Sequence, residues 1–311
     1  MIYDLAILGG GPAGQTAGLY AARQGLPAIL ITKNLGGQMA QKAVEIENYP
    51  GFLKISGLEL IQKFEEQLKS VGVPTINEKA IEIIKKNEIF KIVLESGEVI
   101  ESRSVIIALG AEPRHLNVPG EKELLGRGVS YCVTCDGPLF AGKDIAIIGG
   151  GNAGLEAAIF MQTYASKIYI LEAGEKVKAV EDNQKKVSLS SKIEIITSAE
   201  LKLIRGENFV QDLVYIDKKT NQEKTLTIAG VFVQIGYAPN SELIKDWVDL
   251  NEKQEIIIDP KTMQTKTAGL FAAGDITDEP VKQIIVAAGA GAKAALSAYN
   301  YIQKTNEQFF N

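Results

Sequence analysis

Short apolar runs broken by glycine-rich turns set the rhythm of this chain. Residues 4–8 form an apolar run that ends in Gly9-Gly10-Gly11-Pro12-Ala13-Gly14. Small and apolar residues then dominate to Arg23, and 28–31 is strand-like again. That order predicts strand, glycine turn, helix, strand. Leu58, Ile61, Phe64, Leu68 and Val71 recur at helical spacing, which predicts a helix over 58–71 with those side chains in the core. Strand-like segments follow at 80–85, 90–94, 98–101 and 104–108, with Ser96-Gly97 as a hairpin turn. The opening pattern then recurs. Residues 144–148 lead into Gly149-Gly150-Gly151-Asn152-Ala153-Gly154, a helix to about Tyr164 and a strand over 167–171. Gly9 and Gly149 lie 140 residues apart, a spacing of two domains rather than of a solenoid. Further strands are expected at 192–196, 201–204, 212–216, 231–235, 256–258 and 270–272. A final Ala- and Gly-rich helix opens at Lys282-Gln283-Ile284 and runs to about Ile302.

Between the first two predicted units, residues 34–57 form a long connection without strong periodicity, carrying Gly36-Gly37-Gln38 and Glu47-Asn48-Tyr49-Pro50-Gly51. Long connections of this kind are often functional loops. At 311 residues the chain has room for two domains, and 46% apolar with 23% charged residues is a globular α/β balance. The net charge of −5 comes without a basic patch interleaved with aromatics, so no nucleic-acid partner is expected. No apolar run reaches membrane-spanning length, and Met1 leads straight into a strand without the pattern of a signal peptide. With two cysteines, the expectation is a cytoplasmic protein with no membrane partner.

Those cysteines carry the chemistry. Ser130-Tyr131-Cys132-Val133-Thr134-Cys135-Asp136-Gly137-Pro138 holds both at Cys-x-x-Cys spacing, with a carboxylate after the second. Thiols this close can close a small disulfide ring of the exchange-active kind. A structural zinc would need four ligands, and the chain has no second cysteine pair, so no metal is expected. An inert buried pair is the other bland reading. Asp136, a candidate proton carrier, and the two glycine signatures favour redox chemistry. Each signature fits G-x-G-x-x-G, in which glycine lets backbone approach a pyrophosphate at a helix N-terminus. The second is followed by Glu172, 23 residues after Gly149, where a carboxylate accepts from a ribose 2′-hydroxyl and repels a 2′-phosphate. The first has Thr32-Lys33-Asn34 at the matching place. His115, the only histidine, lies beside the expected linker and ranks low as a catalytic base.

Taken together and in order, Gly9–Gly14, Gly36-Gly37-Gln38, the 47–51 stretch, Cys132–Gly137, Gly149–Gly154, 269–275 and Lys282-Gln283-Ile284 resemble a known family over essentially the whole chain. It is that of the low-molecular-weight thioredoxin reductases and their relative, the flavoprotein subunit of alkyl hydroperoxide reductase. The resemblance implies an α/β fold of two doubly wound, Rossmann-like domains, the second inserted in the first. Residues 1–114 and 243–311 would bind FAD, and 115–242 would bind NAD(P)H and carry the redox-active cysteines. It implies FAD contacts at Gly9, Gly11, Pro12, Ala13, Gly14, Gly36, Gly37, Gln38, Asn48, Gly110, Gly274, Asp275, Lys282, Gln283 and Ile284. Nucleotide contacts would fall at Gly149, Gly151, Asn152, Ala153, Gly154 and Glu172. Cys135 would receive electrons from flavin, Cys132 would attack the partner's disulfide, and Asp136 would serve as acid and base. Family members are homodimers whose inserted domain rotates between donor and acceptor.

Two departures qualify the match. The basic cluster with which NADPH-using members clamp the 2′-phosphate is replaced by Glu172-Ala173-Gly174-Glu175-Lys176-Val177-Lys178, which resembles the NADH-using hydroperoxide reductase flavoprotein. The family's Ala-Thr-Gly motif reads Ala108-Leu109-Gly110. That relative also carries an N-terminal thioredoxin-like extension. This chain begins at the first strand, so such a shuttle is expected to be a separate protein. The expected function is an FAD-dependent thioredoxin-disulfide reductase using NADH in preference to NADPH. Its acceptor would be a thioredoxin-like, glutaredoxin-like or peroxiredoxin-system protein. The alternatives are a ferredoxin-dependent reductase with a vestigial nucleotide site, against which the intact 149–154 loop and Glu172 argue, and a redox-sensing flavoprotein without turnover, against which Cys-x-x-Cys-Asp argues.

Overall fold

The computed structural model describes residues 1–41 and 45–310. The chain forms two compact units, the second inserted in the first: Met1–Glu112 with Ala238–Asn311, and Pro113–Tyr237.

In the first unit the central strand Ile2–Gly10 pairs in parallel with Ala28–Leu35 on one side and Val99–Ile107 on the other. Leu5, Ala6, Ile7 and Leu8 are all 0% exposed, as a parallel strand covered on both faces requires. One face is covered by the helices Pro12–Arg23 and Ile284–Phe310, which pack on each other. The sheet continues through the antiparallel strands Ile89–Leu94 and Ala80–Lys86, while Leu270–Ala272 also pairs with Val99–Ile107.

The second unit repeats the plan. Five parallel strands run in the order Val129–Ser130, Gly230–Val233, Asp144–Ile148, Lys167–Glu172, Ile193–Thr197. The helices Asn152–Met161 and Glu181–Ser188 join one apolar cluster with this sheet. An antiparallel three-stranded sheet, Ala199–Arg205, Asp212–Asp217 and Gln222–Thr227, contributes to the other. Both units are therefore α/β and doubly wound. No helix among the described residues is long and apolar enough to cross a membrane.

Several expected elements are corrected. The strands expected at 98–101 and 104–108 are one, Val99–Ile107, because its two halves have different partners. Val99 to Ser102 pair with Ile89–Leu94, and Val105 to Ile107 with Leu270–Ala272. The serines between stay in a buried strand because Ser102 Oγ donates to the Ser104 carbonyl and Ser104 Oγ to that of Asp4. The helix expected over 58–71 is Gly57–Ser70, opened by a reciprocal capping box between Ser56 and Glu59. Its buried stripe is Gly57, Leu60, Ile61 and Leu68; Leu58, one step round the helix, is 55% exposed rather than core. Residues 256–258 are not a strand. Only Ile256 forms isolated bridges, to Leu250 and Thr277. The long 34–57 connection contains a short helix, Gln38–Gln41, and the strand pair Glu45–Ile46 with Ile55–Ser56; its residues 42–44 lie outside the described residues. The final helix extends to Phe310.

A Cβ on Gly291 would stand 2.0 Å from the Ala13 carbonyl oxygen, where the two covering helices meet. Backbone cannot yield as a side-chain tip can. Gly291→Ala should therefore lower the unfolding free energy by about 2 kcal/mol or more, within the usual range for overpacking. Gly289→Ala, two residues earlier in the same helix with nothing within 4 Å, should raise it by about 0.5–1 kcal/mol. Urea unfolding of the two variants checks the pair.

Candidate active site

The parallel edge strand Val129–Ser130 ends at Tyr131, and the chain turns directly into the short helix Val133–Asp136. Cys132 is the N-cap of that helix, and its Sγ accepts from the Cys135 amide at 3.2 Å. The two sulfurs form a disulfide, with Thr134 Oγ1 3.4 Å from Cys132 Sγ. Asp136 closes the helix, and its Oδ2 accepts from Ser130 Oγ at 2.5 Å. The following turn is held tightly: a Cβ on Gly137 would meet Met161 Sδ at 2.9 Å.

A second polar cluster underlies this segment. Glu121 is 1% exposed, and its carboxylate accepts from the amides of Leu116 and Asn117 at 2.8 Å each and from the Tyr131 hydroxyl at 2.6 Å. Because that hydroxyl gives its only proton to Glu121, its oxygen accepts from His115 Nδ1 at 2.8 Å, which places the ring proton on Nδ1. The Tyr131 carbonyl in turn accepts from Gln234 Nε2 and the Tyr237 hydroxyl. The residue preceding Cys132 is thus clamped at its backbone and at its side-chain tip. Burial, and then the bond to Glu121 with that carboxylate's charge, push the Tyr131 phenol above its ordinary value of 10.0.

The two glycine turns are built alike. Gly9 has φ +113° and Gly149 φ +120°, a backbone region suited to glycine. A Cβ on Gly14 would stand 1.8 Å from the Gly9 carbonyl oxygen, and one on Gly154 1.8 Å from that of Gly149. Gly11 and Gly151, the two N-caps, have open space where a Cβ would be, no side-chain cap and no acidic residue in the helical turn that follows. Each helix thus offers amides and a positive dipole end to an anion.

Around the first turn, the residues expected at one site do come together. The Gly36 amide donates to the Gly10 carbonyl, and a Cβ on Gly37 would meet Gly11 Cα at 3.2 Å. Gln38 Nε2 lies 3.3 Å from Asp275 Oδ2 and also donates to the Ala111 carbonyl. Asn48 Nδ2 donates to Gln283 Oε1 at 3.1 Å, Gly274 abuts Ala13, and Ile284 packs against the cluster of Met39, Leu60 and Ile61. The Gly110 carbonyl accepts from the Asn240 amide. Lys282 is directed elsewhere, its ammonium 3.0 Å from Glu255 and donating to the Thr277 carbonyl. Burial raises the Glu255 carboxyl, but bonds from Asn251 and Lys282 outweigh it and leave the group below its ordinary value.

At the second turn, the Glu172 carboxylate accepts from the Gly150 amide at 2.7 Å and the Gly174 amide at 2.8 Å, bracing the loop with both oxygens. Each oxygen has a second lone pair. Asn152 Oδ1 accepts from the Val180 amide, so the 172–180 segment lies along the loop. Sequence reasoning gave Ser130, Tyr131 and Glu121 no role and set His115 aside. Glu121 sits in a stretch without periodicity, so nothing local marks it as buried.

The sequence matches the pyridine nucleotide-disulphide oxidoreductase family over residues 3–291. It is 42% identical over 301 residues to a subunit of the alkyl hydroperoxide reductase of Staphylococcus aureus, covering 96% of this chain and 59% of the relative. It is 40% identical over 300 residues to an NADH dehydrogenase of Bacillus subtilis, covering 96% of this chain and 58% of that one. The chain therefore spans less than two thirds of these curated relatives. Among solved structures, thioredoxin reductase from Streptococcus pyogenes superposes with a TM-score of 0.91 at 35% identity, covering 97% of this chain and 99% of that one.

The raised Tyr131 phenol fixes a sign. Its stabilising effect is complete below the unfolded value of 10.0 and declines above it, because the unfolded chain then releases the proton first. Tyr131→Phe, which removes a donor from a buried carboxylate, should cost about 1–3 kcal/mol at neutral pH. In urea melts the gap between wild type and variant should narrow as the pH rises above 10.

Proposed function

The chain belongs to the pyridine nucleotide-disulphide oxidoreductase family, and from that premise we propose that it is an FAD-dependent disulfide reductase. It takes reducing equivalents from NADH in preference to NADPH and delivers them through Cys132 and Cys135 to the disulfide of a thioredoxin-like, glutaredoxin-like or peroxiredoxin-system protein. The observation that carries this reading is the Cys132–Cys135 disulfide beside Asp136, in a chain with two glycine-built anion cradles.

The residues present fit both groups. Gly11 and Gly151 leave open space at uncapped helix N-termini, where the pyrophosphate of a dinucleotide would lie. FAD would be held by the first turn with Gly36, Gly37, Gln38, Asn48, Gly274, Asp275, Gln283 and Ile284. NADH would be held by Gly149, Gly151, Asn152, Ala153 and Gly154. Bound FAD supplies the link between a two-electron hydride donor and a disulfide. Glu172 adds negative charge to the second loop, which disfavours a 2′-phosphate, and Lys176 and Lys178 fall short of a phosphate clamp. Lys282, whose charge is paired with Glu255, orders the chain next to Gln283.

In the reduced protein, the Asp136 carboxylate takes the proton of the Cys132 thiol. The Cys132 thiolate then attacks one sulfur of the partner's disulfide, that S–S bond breaks, and the leaving thiolate takes the proton back from Asp136. Cys135 then gives its thiol proton to Asp136 and attacks the Cys132 sulfur of the mixed disulfide. The Cys132–partner bond breaks, the Cys132–Cys135 bond is restored, and the second partner thiolate takes that proton, so the partner leaves as a dithiol. Two electrons pass to the partner, and the protein returns to the oxidised form.

Anaerobic titration with each nucleotide tests the donor. NADH should bleach the flavin at least about tenfold faster than NADPH, a difference of about 1.4 kcal/mol in barrier. Preference for NADPH would remove Glu172 from the account and point to Lys176 and Lys178 as phosphate ligands. Cys132→Ser should still show flavin bleaching by NADH yet lose reduction of an oxidised thioredoxin by about 100-fold or more, since one thiol cannot complete the exchange. Partner turnover by that variant would contradict the assignment of the attacking sulfur.

A further inference from the structure

We infer that Ser130 is a positioning residue of the disulfide exchange: its hydroxyl ties the Asp136 carboxylate to the backbone of Cys132, so that proton carrier and attacking sulfur are held as one unit. The inference rests on the role given to Asp136 above and adds the residue on which that role depends.

The geometry is that of a closed polar ring. Ser130 is 4% exposed and lies at the end of the edge strand, paired with Phe232. Its Oγ accepts from the Cys132 amide at 3.0 Å and lies 2.5 Å from Asp136 Oδ2. A hydroxyl has one proton. The Cys132 amide is a donor, and an ionised carboxylate can only accept, so that proton is committed to Asp136. The Cys132 carbonyl, at 3.3 Å, is the weaker alternative acceptor. Asp136 in turn gives its amide to the Cys132 carbonyl at 3.2 Å. Residues 130, 132 and 136 are therefore joined by hydrogen bonds at the amide and the carbonyl of the same cysteine.

This arrangement has a chemical consequence. A carboxylate on a short helix end has two side-chain torsions, and a charge-assisted bond from a buried, strand-held donor restricts both. Proton transfer depends on such placement, because a carboxyl group that swings away must be returned before it can act. The need for that proton varies with the disulfide attacked. A dialkyl disulfide expels a basic thiolate that must be protonated, whereas 5,5′-dithiobis(2-nitrobenzoate) expels a weakly basic aryl thiolate that leaves unaided. Asp136 acts as base toward Cys132 for both disulfides and as acid toward the leaving thiolate only for the first, so a residue that places it matters more for the first than for the second. A residue that merely holds the fold matters equally for both.

The test uses the flavin-loaded protein reduced with dithiothreitol and desalted under nitrogen, so no nucleotide step enters. Loss of protein thiols is followed in single turnovers with bis(2-hydroxyethyl) disulfide and with 5,5′-dithiobis(2-nitrobenzoate). Ser130→Ala should slow the dialkyl disulfide about tenfold and the aryl disulfide clearly less, by about threefold, because only the base step is shared, a modest share of what general acid–base groups contribute. Combined with Asp136→Asn it should cost nothing more, because the carboxylate it positions is gone. The isosteric pair Ser130→Thr and Ser130→Val keeps the comparison should the alanine variant fail to fold: Thr should restore most of the rate, and Val should not.

Equal losses on both disulfides, or a loss that multiplies in full with Asp136→Asn, would overturn the inference by making Ser130 a structural residue. A wild-type rate for Ser130→Ala with a slow Asp136→Asn would overturn it while leaving the Asp136 role standing. A wild-type rate for Asp136→Asn on both disulfides would remove the Asp136 role itself, and the Ser130 inference with it.

Discussion

Everything this molecule presents depends on backbone touching backbone at two glycine turns. In each, the carbonyl of the first glycine lies where a Cβ on the third would be, 1.8 Å away in both cases. Only hydrogen in place of a side chain lets the helix start that close to the strand it leaves. The close approach aims the uncapped first amides of Pro12–Arg23 and Asn152–Met161 outward past Gly11 and Gly151. It also lets Ile284–Phe310 settle against the first helix at Gly291. Close helix–strand approach beside an open N-cap thus recurs at both turns, and the last helix adds a further backbone contact at Ala13.

The surrounding charges are placed to support that geometry. Glu172 braces the second loop through two backbone amides, so one carboxylate shapes the turn and sets its electrostatic sign. Lys282 and Glu255 are both largely sheltered, and their pairing holds the approach to the last helix. Glu121, fully buried, is tolerated because three donors reach it, and the third, the Tyr131 hydroxyl, anchors the residue before Cys132. Burying a carboxylate without those donors would cost several kcal/mol, on the order of the stability of a small domain. Through the Tyr131 hydroxyl the carboxylate fixes the residue that leads into Cys132 and the four-residue helix after it.

Much of this was legible from the sequence, for physical reasons. Glycine at 9, 14, 149 and 154 is visible because no other residue satisfies the turn. The α/β alternation is visible because strand and helix impose different apolar periods. Legibility failed where tertiary partners decide. The break expected between 98–101 and 104–108 falls at Ser102-Arg103, whose hydroxyl and guanidinium find the Ser104 carbonyl and Asp4 only in the folded sheet. Leu58 was assigned to the core by spacing, yet the stripe on Gly57, Leu60, Ile61 and Leu68 excludes it. Ser130 and Tyr131 were in plain view beside the cysteines, but their bonds run to Asp136 and Glu121, and no local pattern encodes those pairings.

The central claim is that reducing equivalents from a nicotinamide reach the Cys132–Cys135 pair. The most direct measurement is a thiol count. Flavin-loaded protein is mixed under nitrogen with a small excess of NADH, quenched in acid and denaturant, and titrated for free thiols. The account predicts that two thiols per chain appear, both of the cysteines the sequence contains, and that none appears in Cys135→Ser beyond the single thiol it starts with. A flavin that bleaches while the disulfide stays closed would contradict the account, because electrons would then leave the protein by a route that does not use these cysteines.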